Sequence, residues 1–129
     1  MKKRIIQIIG LPASGKTTAI SHYTEQHQDI NHIDIKTFNG KAKIKNYKRA
    51  INKLNTDIIA ESACGVNIRG SVIIHWNTPR DILYSRSLKR DQTLDEDYLS
   101  LLETQMLPAQ YSVSDHLALE QLLDTLLKE

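Results

Sequence analysis

The sequence contains a single cysteine, Cys64, so it can form no internal disulfide and no cysteine-built zinc site. A chain of this kind suits a reducing, intracellular setting, and a cytoplasmic location is expected. Long hydrophobic runs are also missing. The apolar stretch Ile5–Ile9, broken by Gln7, is too short for the core of a secretory leader, despite the cationic Met1-Lys2-Lys3-Arg4 before it. Nothing approaches the length of a membrane span, and no membrane partner is expected. The five histidines (His22, His27, His32, His75 and His116) show no H-E-x-x-H or other ligand spacing. They are expected at the surface or as satisfied core residues. Internal repeats and low-complexity segments are absent as well.

What is present is ordinary in amount and uneven in arrangement. At 129 residues the chain has the size of one domain over residues 1–129, with 40% hydrophobic and 25% charged residues. Its net charge of +2 conceals a division: residues 1–90 carry sixteen Lys and Arg against six Asp and Glu, and residues 91–129 carry nine acids against Lys128 alone. Anionic ligands are therefore expected on the N-terminal two-thirds, and the acidic remainder reads as a solvated helical surface.

Strand-like and helix-like segments alternate along the chain. Residues 4–9 (RIIQII) read as a buried β-branched strand ending at Gly10, and residues 16–27 as the helix that follows. Residues 31–35 predict a second strand with Ile33 and Ile35 on one face. Residues 42–55 place Ile44, Tyr47, Ile51 and Leu54 on one helical face. Residues 57–61 and 71–77 read as further strands. Thr78-Pro79-Arg80-Asp81 opens a helix expected to run to Lys89. Thr93-Leu94-Asp95-Glu96 reads as a capping box for another, with Tyr98, Leu101 and Leu102 inward and Pro108 ending it. A short fifth strand is expected over 110–113, then a helix with Leu119, Leu122, Leu123, Leu126 and Leu127 on one face. This alternation predicts a three-layer α/β/α fold with a mainly parallel sheet of about five strands. In such a sheet ligands lie beyond the carboxyl ends of the strands, where Gly10, Asp34, Glu61 and Asn77 all fall.

The segment Gly10-Leu11-Pro12-Ala13-Ser14-Gly15-Lys16-Thr17 fits G-x-x-x-x-G-K-[ST] at every fixed position. Glycines allow the loop to close into a concavity of backbone N–H donors, and the next helix turns its positive end toward the same anion. Lys16 adds a charge for the outer phosphates, Thr17 a hydroxyl for Mg²⁺, and Thr18 a bond to a nearer phosphate. A nucleoside triphosphate, ATP with Mg²⁺, is thus expected on Gly10, Pro12, Ala13, Ser14, Gly15, Lys16, Thr17 and Thr18.

With these residues the chain resembles the small P-loop kinases, a set that includes nucleoside, nucleotide, gluconate and shikimate kinases. The likeness is specific over residues 4–20 and looser beyond. Gly-Leu-Pro-Ala-Ser-Gly-Lys-Thr-Thr in particular is similar to the loop of polynucleotide-kinase-like and zeta-toxin-like kinases. That resemblance implies that Asp34, closing the second strand, is the base toward an acceptor hydroxyl. The arginine often found three residues later in that family is Thr37 here, leaving Lys36 as the nearest cation. Glu61 follows a hydrophobic strand in the manner of a magnesium-side carboxylate, and it resembles the Glu of the Glu-Arg-Ser element of deoxynucleoside kinases, without the arginine. Holding metal-bound water, contacting substrate and capping the next loop are all open to it, and the base is Asp34 or Glu61. The Pro-led helix resembles a short lid, which makes Arg86 and Arg90 candidates to close over the phosphates.

Residues 36–53 contain Lys36, Lys41, Lys43, Lys45, Lys48, Arg49 and Lys53 and no acid. They suit an anionic acceptor, a nucleotide or the 5′ end of a nucleic acid; a solvated lysine face is the other reading. Arg69, beyond Glu61, is a further candidate for substrate contact. The expectation is an ATP-dependent phosphotransferase acting on a hydroxyl. A nucleotide-binding or slowly hydrolysing module that regulates a partner is the alternative.

Overall fold

The computed structural model describes residues 3–11, 14–89 and 95–127, without the side chains of Arg80 and Ser87. Five strands form one sheet: β1 (Ile5–Ile9), β2 (Ile30–Asp34), β3 (Asp57–Ser62), β4 (Val72–Trp76) and β5 (Tyr111–Val113). Their order is β2-β3-β1-β4-β5, and every ladder is parallel. The expected mainly parallel sheet is thus parallel throughout. The helices are α1 (Lys16–Glu25), α2 (Lys43–Lys53), α3 (Arg80–Lys89), α4 (Glu96–Gln105) and α5 (His116–Leu127).

Alternation along β1 explains the layering. Ile6 and Ile8 face a cluster with Ala19, Ile20 and Tyr23 of α1, Leu119 and Leu123 of α5, and Ile59, Ile74 and Trp76 of the neighbouring strands. Ile5 lies on the other side, where Tyr47 and Ile51 of α2 pack on Ile58, Ala60 and Val66. Each isoleucine so buried contributes about 1.5–3 kcal/mol. Gln7, fully buried in the same strand, is satisfied by the segment between β3 and β4. Its amide donates to Val66 O at 2.9 Å and Ser71 Oγ at 2.8 Å, and its oxygen accepts from Val66 N at 3.0 Å. A polar residue at the sheet centre thereby fastens the connection between β3 and β4.

A third cluster joins Leu11 to Leu83 of α3 and to Leu99 and Leu102 of α4. Here the expected helix face was rotated. Tyr98 and Leu101 are exposed, and Leu99 joins Leu102 in facing Leu11 and Leu83; the helix starts at Glu96 with Asp95 as its cap. The Asp95 carboxylate accepts from Asp97 N at 2.9 Å; Thr93 and Leu94 of the expected capping box lie outside the described residues. Ile44 is a second correction, since the first turn of α2 leaves it half exposed while Tyr47 and Ile51 are buried.

At the edge of the sheet where the strands begin, two cations hold helix ends. Lys3 Nζ donates to the carbonyls of Ile51 and of Leu54, the latter at 2.6 Å, and Arg4 Nη1 donates to Leu126 O at 2.7 Å. Cationic donors suit the carbonyl-rich ends of α2 and α5. No helix among the described residues is long and apolar enough to cross a membrane.

Candidate active site

The opposite edge, where the strands end, gathers the polar residues. Parallel register sets Ile9 beside Ser62 and Asp34 beside Glu61, so the loop after β1 and the acids of β2 and β3 share one rim. Gly10 leaves β1 so close to β4 that a Cβ there would lie 2.7 Å from Trp76 O. Gly15 has φ 87°, a left-handed conformation that favours glycine, and directly precedes Lys16 at the start of α1. No side chain caps that helix end, and its first turn has no acid. Its free N–H groups and dipole are therefore directed at the loop.

Glu61 is the hub of the site and is fully buried. Thr17 Oγ1 donates to Glu61 Oε2, His32 Nε2 lies 2.8 Å from Oε1, and the Lys16 ammonium is 3.9 Å from Oε2. Burial works to raise the Glu61 carboxyl, but the bonds from His32 and Thr17 and the charge of Lys16 outweigh it and hold the group below the usual carboxylate range. Burial lowers the Lys16 ammonium, with Glu61 opposing. Lys16 Nζ also reaches Leu11 O at 3.4 Å.

The Ser14 carbonyl accepts from three side chains: Trp76 Nε1 at 2.7 Å, Thr78 Oγ1 at 3.0 Å and Arg86 Nη1 at 2.6 Å. These bonds fix the loop from β4 and α3. The Ser14 hydroxyl, by contrast, is buried without a hydrogen-bond partner among the described residues. An unpaired buried hydroxyl beside an uncapped helix end, a buried ammonium and a threonine–carboxylate pair fits a polyphosphate with Mg²⁺. The metal would take Thr17 and Glu61 as its protein partners. Among the described residues no group of three or more His, Cys, Asp or Glu side chains is placed to hold a metal ion. Mg²⁺ needs none, because phosphates and water supply most of its ligands.

Of the residues named from sequence, the structure brings together Gly10, Ser14, Gly15, Lys16, Thr17, Thr18, Asp34, Glu61 and Arg86. Asp34 ends β2 and caps the following turn of Ile35–Thr37, its Oδ1 accepting from Lys36 N at 3.0 Å. Lys36 itself is exposed on the same rim. Arg69 is not part of the site: it precedes β4 at the strand-start edge, next to Gly70, which lines a cavity with Lys3, Arg4 and Ile6. Pro12, Ala13 and Arg90 lie outside the described residues. Two cavities are lined in part by residues of the site. One, of about 590 Å³, is lined by His32, Ile33, Asp34, Phe38, Lys53 and Leu54. The other, of about 280 Å³, is lined by Gly15, Thr18, Arg86, Lys89 and His116. His32, Trp76 and Thr78 were not singled out for this site from sequence, and no motif marks them. Their partners are 29, 62 and 64 residues away along the chain.

No family model matches the sequence, and no curated protein matches it. Solved structures do match in shape. A sugar kinase from Janibacter sp. HTCC2649 superposes with a TM-score of 0.70 at 12% identity, over 98% of this chain and 95% of that one. Shikimate kinase from Acinetobacter baumannii, solved in complex with shikimate, gives 0.65 at 16% identity over 98% and 94%. A gluconokinase from Sinorhizobium meliloti 1021 gives 0.61 at 12% identity over 93% and 90%. At such identities the likeness establishes architecture: the chain has the three-layer α/β/α P-loop fold on which these small kinases are built.

Proposed function

We propose that this protein is an ATP-dependent kinase that transfers the terminal phosphoryl group to a hydroxyl of an anionic acceptor. The observation that carries the reading is the buried Lys16–Glu61–Thr17 cluster at the start of α1, on one rim with Asp34. Phosphoryl transfer asks the protein mainly to position groups and to stabilise charge. The α1 N–H groups and Lys16 hold the outer phosphates, and Thr17 with Glu61 holds the metal side. When bound, Mg²⁺ supplies charge neutralisation across the phosphate oxygens. Asp34 orients the acceptor hydroxyl and takes its proton. Arg86, anchored on the Ser14 carbonyl, lies close enough to the loop to stabilise charge on the phosphates, and Arg90 is proposed for the same role.

The acceptor is read from the cavity beside Asp34. Ile33, Phe38 and Leu54 give it an apolar wall, and Lys53 gives it a cation. Sugar, shikimate and gluconate kinases share the fold, which favours a small hydroxylated acceptor; the lysine-rich α2 adds the preference for an anion. A nucleotide or a nucleic-acid 5′ end fits the same basic helix and is the narrower form of the proposal. The test is incubation with γ-labelled ATP and Mg²⁺ against sugars, hydroxy acids, nucleosides, nucleotides and 5′-hydroxyl oligonucleotides. A labelled acceptor that disappears with Lys16→Ala supports the kinase. Phosphate release with no acceptor labelled in any arm overturns it in favour of a nucleotide-hydrolysing module.

A further inference from the structure

We infer that His32 is a positioning residue. It fixes the Glu61 carboxylate so that Thr17 presents its hydroxyl to the metal of the bound nucleotide. This rests on the phosphate-loop reading above and adds a residue for which the sequence holds no motif.

The geometry is specific. In the β2–β3 ladder His32 stands beside Ile59 and Asp34 beside Glu61, so the imidazole reaches diagonally across two positions to place Nε2 2.8 Å from Glu61 Oε1. The side chain of Glu61 is 1% exposed and that of His32 17%, so the bond is sheltered from water. Each carboxylate oxygen then has its own partner, His32 on Oε1 and Thr17 on Oε2. One contact would leave the carboxylate free to turn about its last bond; two contacts on different oxygens fix its plane. With that plane fixed, the Thr17 hydroxyl proton is committed to Oε2 and its lone pairs are directed away from Glu61, as a hydroxyl ligand requires. Lys16 does not serve as the second anchor, because its ammonium is 3.9 Å from Oε2, beyond hydrogen-bond length. Side chains that orient ligands in this way set metal affinity without touching the metal.

The test compares His32→Leu, which removes the donor, with His32→Gln, whose amide nitrogen reaches about as far as Nε2. Calorimetry measures ATP binding with and without Mg²⁺, and melting of the nucleotide-free proteins reports their folding. His32→Leu is expected to lose about 10–100-fold of the Mg²⁺-dependent gain in affinity while metal-free binding stays within about threefold of the parent. His32→Gln is expected to recover most of that gain. If His32→Leu does not fold, His32→Asn, whose shorter amide stops short of Glu61, takes its place with the same expectation. The inference is overturned if the donorless variant keeps the parent's Mg²⁺ gain, or if affinity falls equally with and without metal. It is also overturned if His32→Gln melts like the parent yet recovers nothing. A parent with no Mg²⁺-dependent ATP binding overturns the phosphate-loop reading itself; a parent that gains affinity while His32→Leu matches it overturns only the role of His32.

Discussion

Replacing Glu61 with glutamine isolates the electrostatics of the site, because shape is kept and charge is lost. The amide can still accept from one of Thr17 and His32 and face the other with its NH₂, so the hydrogen bonds largely survive. What disappears is the anion 3.9 Å from the buried Lys16 ammonium. Removing one member of a buried pair costs about 3–5 kcal/mol. The loss here has a ceiling, because Lys16 can shed its proton. From an ordinary lysine pKa, that costs about 4–5 kcal/mol at pH 7, and burial has already moved Lys16 part of the way. Glu61→Gln should therefore lose about 2–4 kcal/mol at pH 7, a urea midpoint lower by roughly 1–2 M. The pH dependence has a definite sign. Once Lys16 is neutral in the folded variant, the unfolded chain binds one proton more, so the variant gains about 1.4 kcal/mol per unit as pH rises from 7 toward 10. In acid the deficit shrinks for a different reason. The Glu61 carboxyl of the parent is held low, so its contribution is present above the unfolded value near 4.3 and is lost as pH falls through the folded one. Urea unfolding of both proteins without nucleotide at pH 3, 7 and 9.5 measures all three. Equal midpoints at pH 7, or a deficit that persists unchanged at pH 9.5, would refute the assignment of the cost to an uncompensated Lys16.

Asp34→Asn keeps the oxygen that accepts from Lys36 N and so preserves the turn, but removes the proposed base. Transfer to acceptor should fall about 10²–10⁴-fold with the ATP Kd nearly unchanged, measured by single-turnover labelling and calorimetry. Gly15→Ala forces a side chain into a left-handed conformation and brings its Cβ to 2.8 Å from Arg86 Nη1. It should cost about 1–3 kcal/mol in thermal unfolding and weaken ATP binding together with stability. Burial raises the Cys64 thiol, which also lies 3.4 Å from Leu102 O, so its reaction with a disulfide reagent at pH 8 should be slower than that of an unfolded control and should speed up in urea.

Much of this architecture could be read from short-range pattern. The β-branched run ending at Gly10 and the G-K-T that follows define β1, the loop and the start of α1, because each depends on neighbours within a few residues. The leucines of α5 likewise revealed its buried face. Periodicity failed at α4, where Tyr98 and Leu101 compete with Leu99 and Leu102. Both pairs are three residues apart, so spacing alone allows either face, and packing against Leu11 and Leu83 selects Leu99 and Leu102. Arg69 was misplaced for a related reason: sequence put it after an acid-ended strand, but a loop held by Gln7 carries it to the far edge before β4 starts. His32, Trp76 and Thr78 lay out of reach, since the assembly of the sheet and its loops, not sequence spacing, brings them to their partners.

The order β2-β3-β1-β4-β5 also governs how the chain emerges during synthesis. β1 is made first, yet both of its neighbours come from residues 57–76. For that interval a nascent chain carries a bare isoleucine-rich strand with neither edge paired, the kind of segment that associates with other chains or recruits chaperones. The loop beside it gains its rigid frame only when Trp76 and Thr78 arrive to hold the Ser14 carbonyl. A translation product stopped short of residue 76 would lack that frame and present an aggregation hazard in its place.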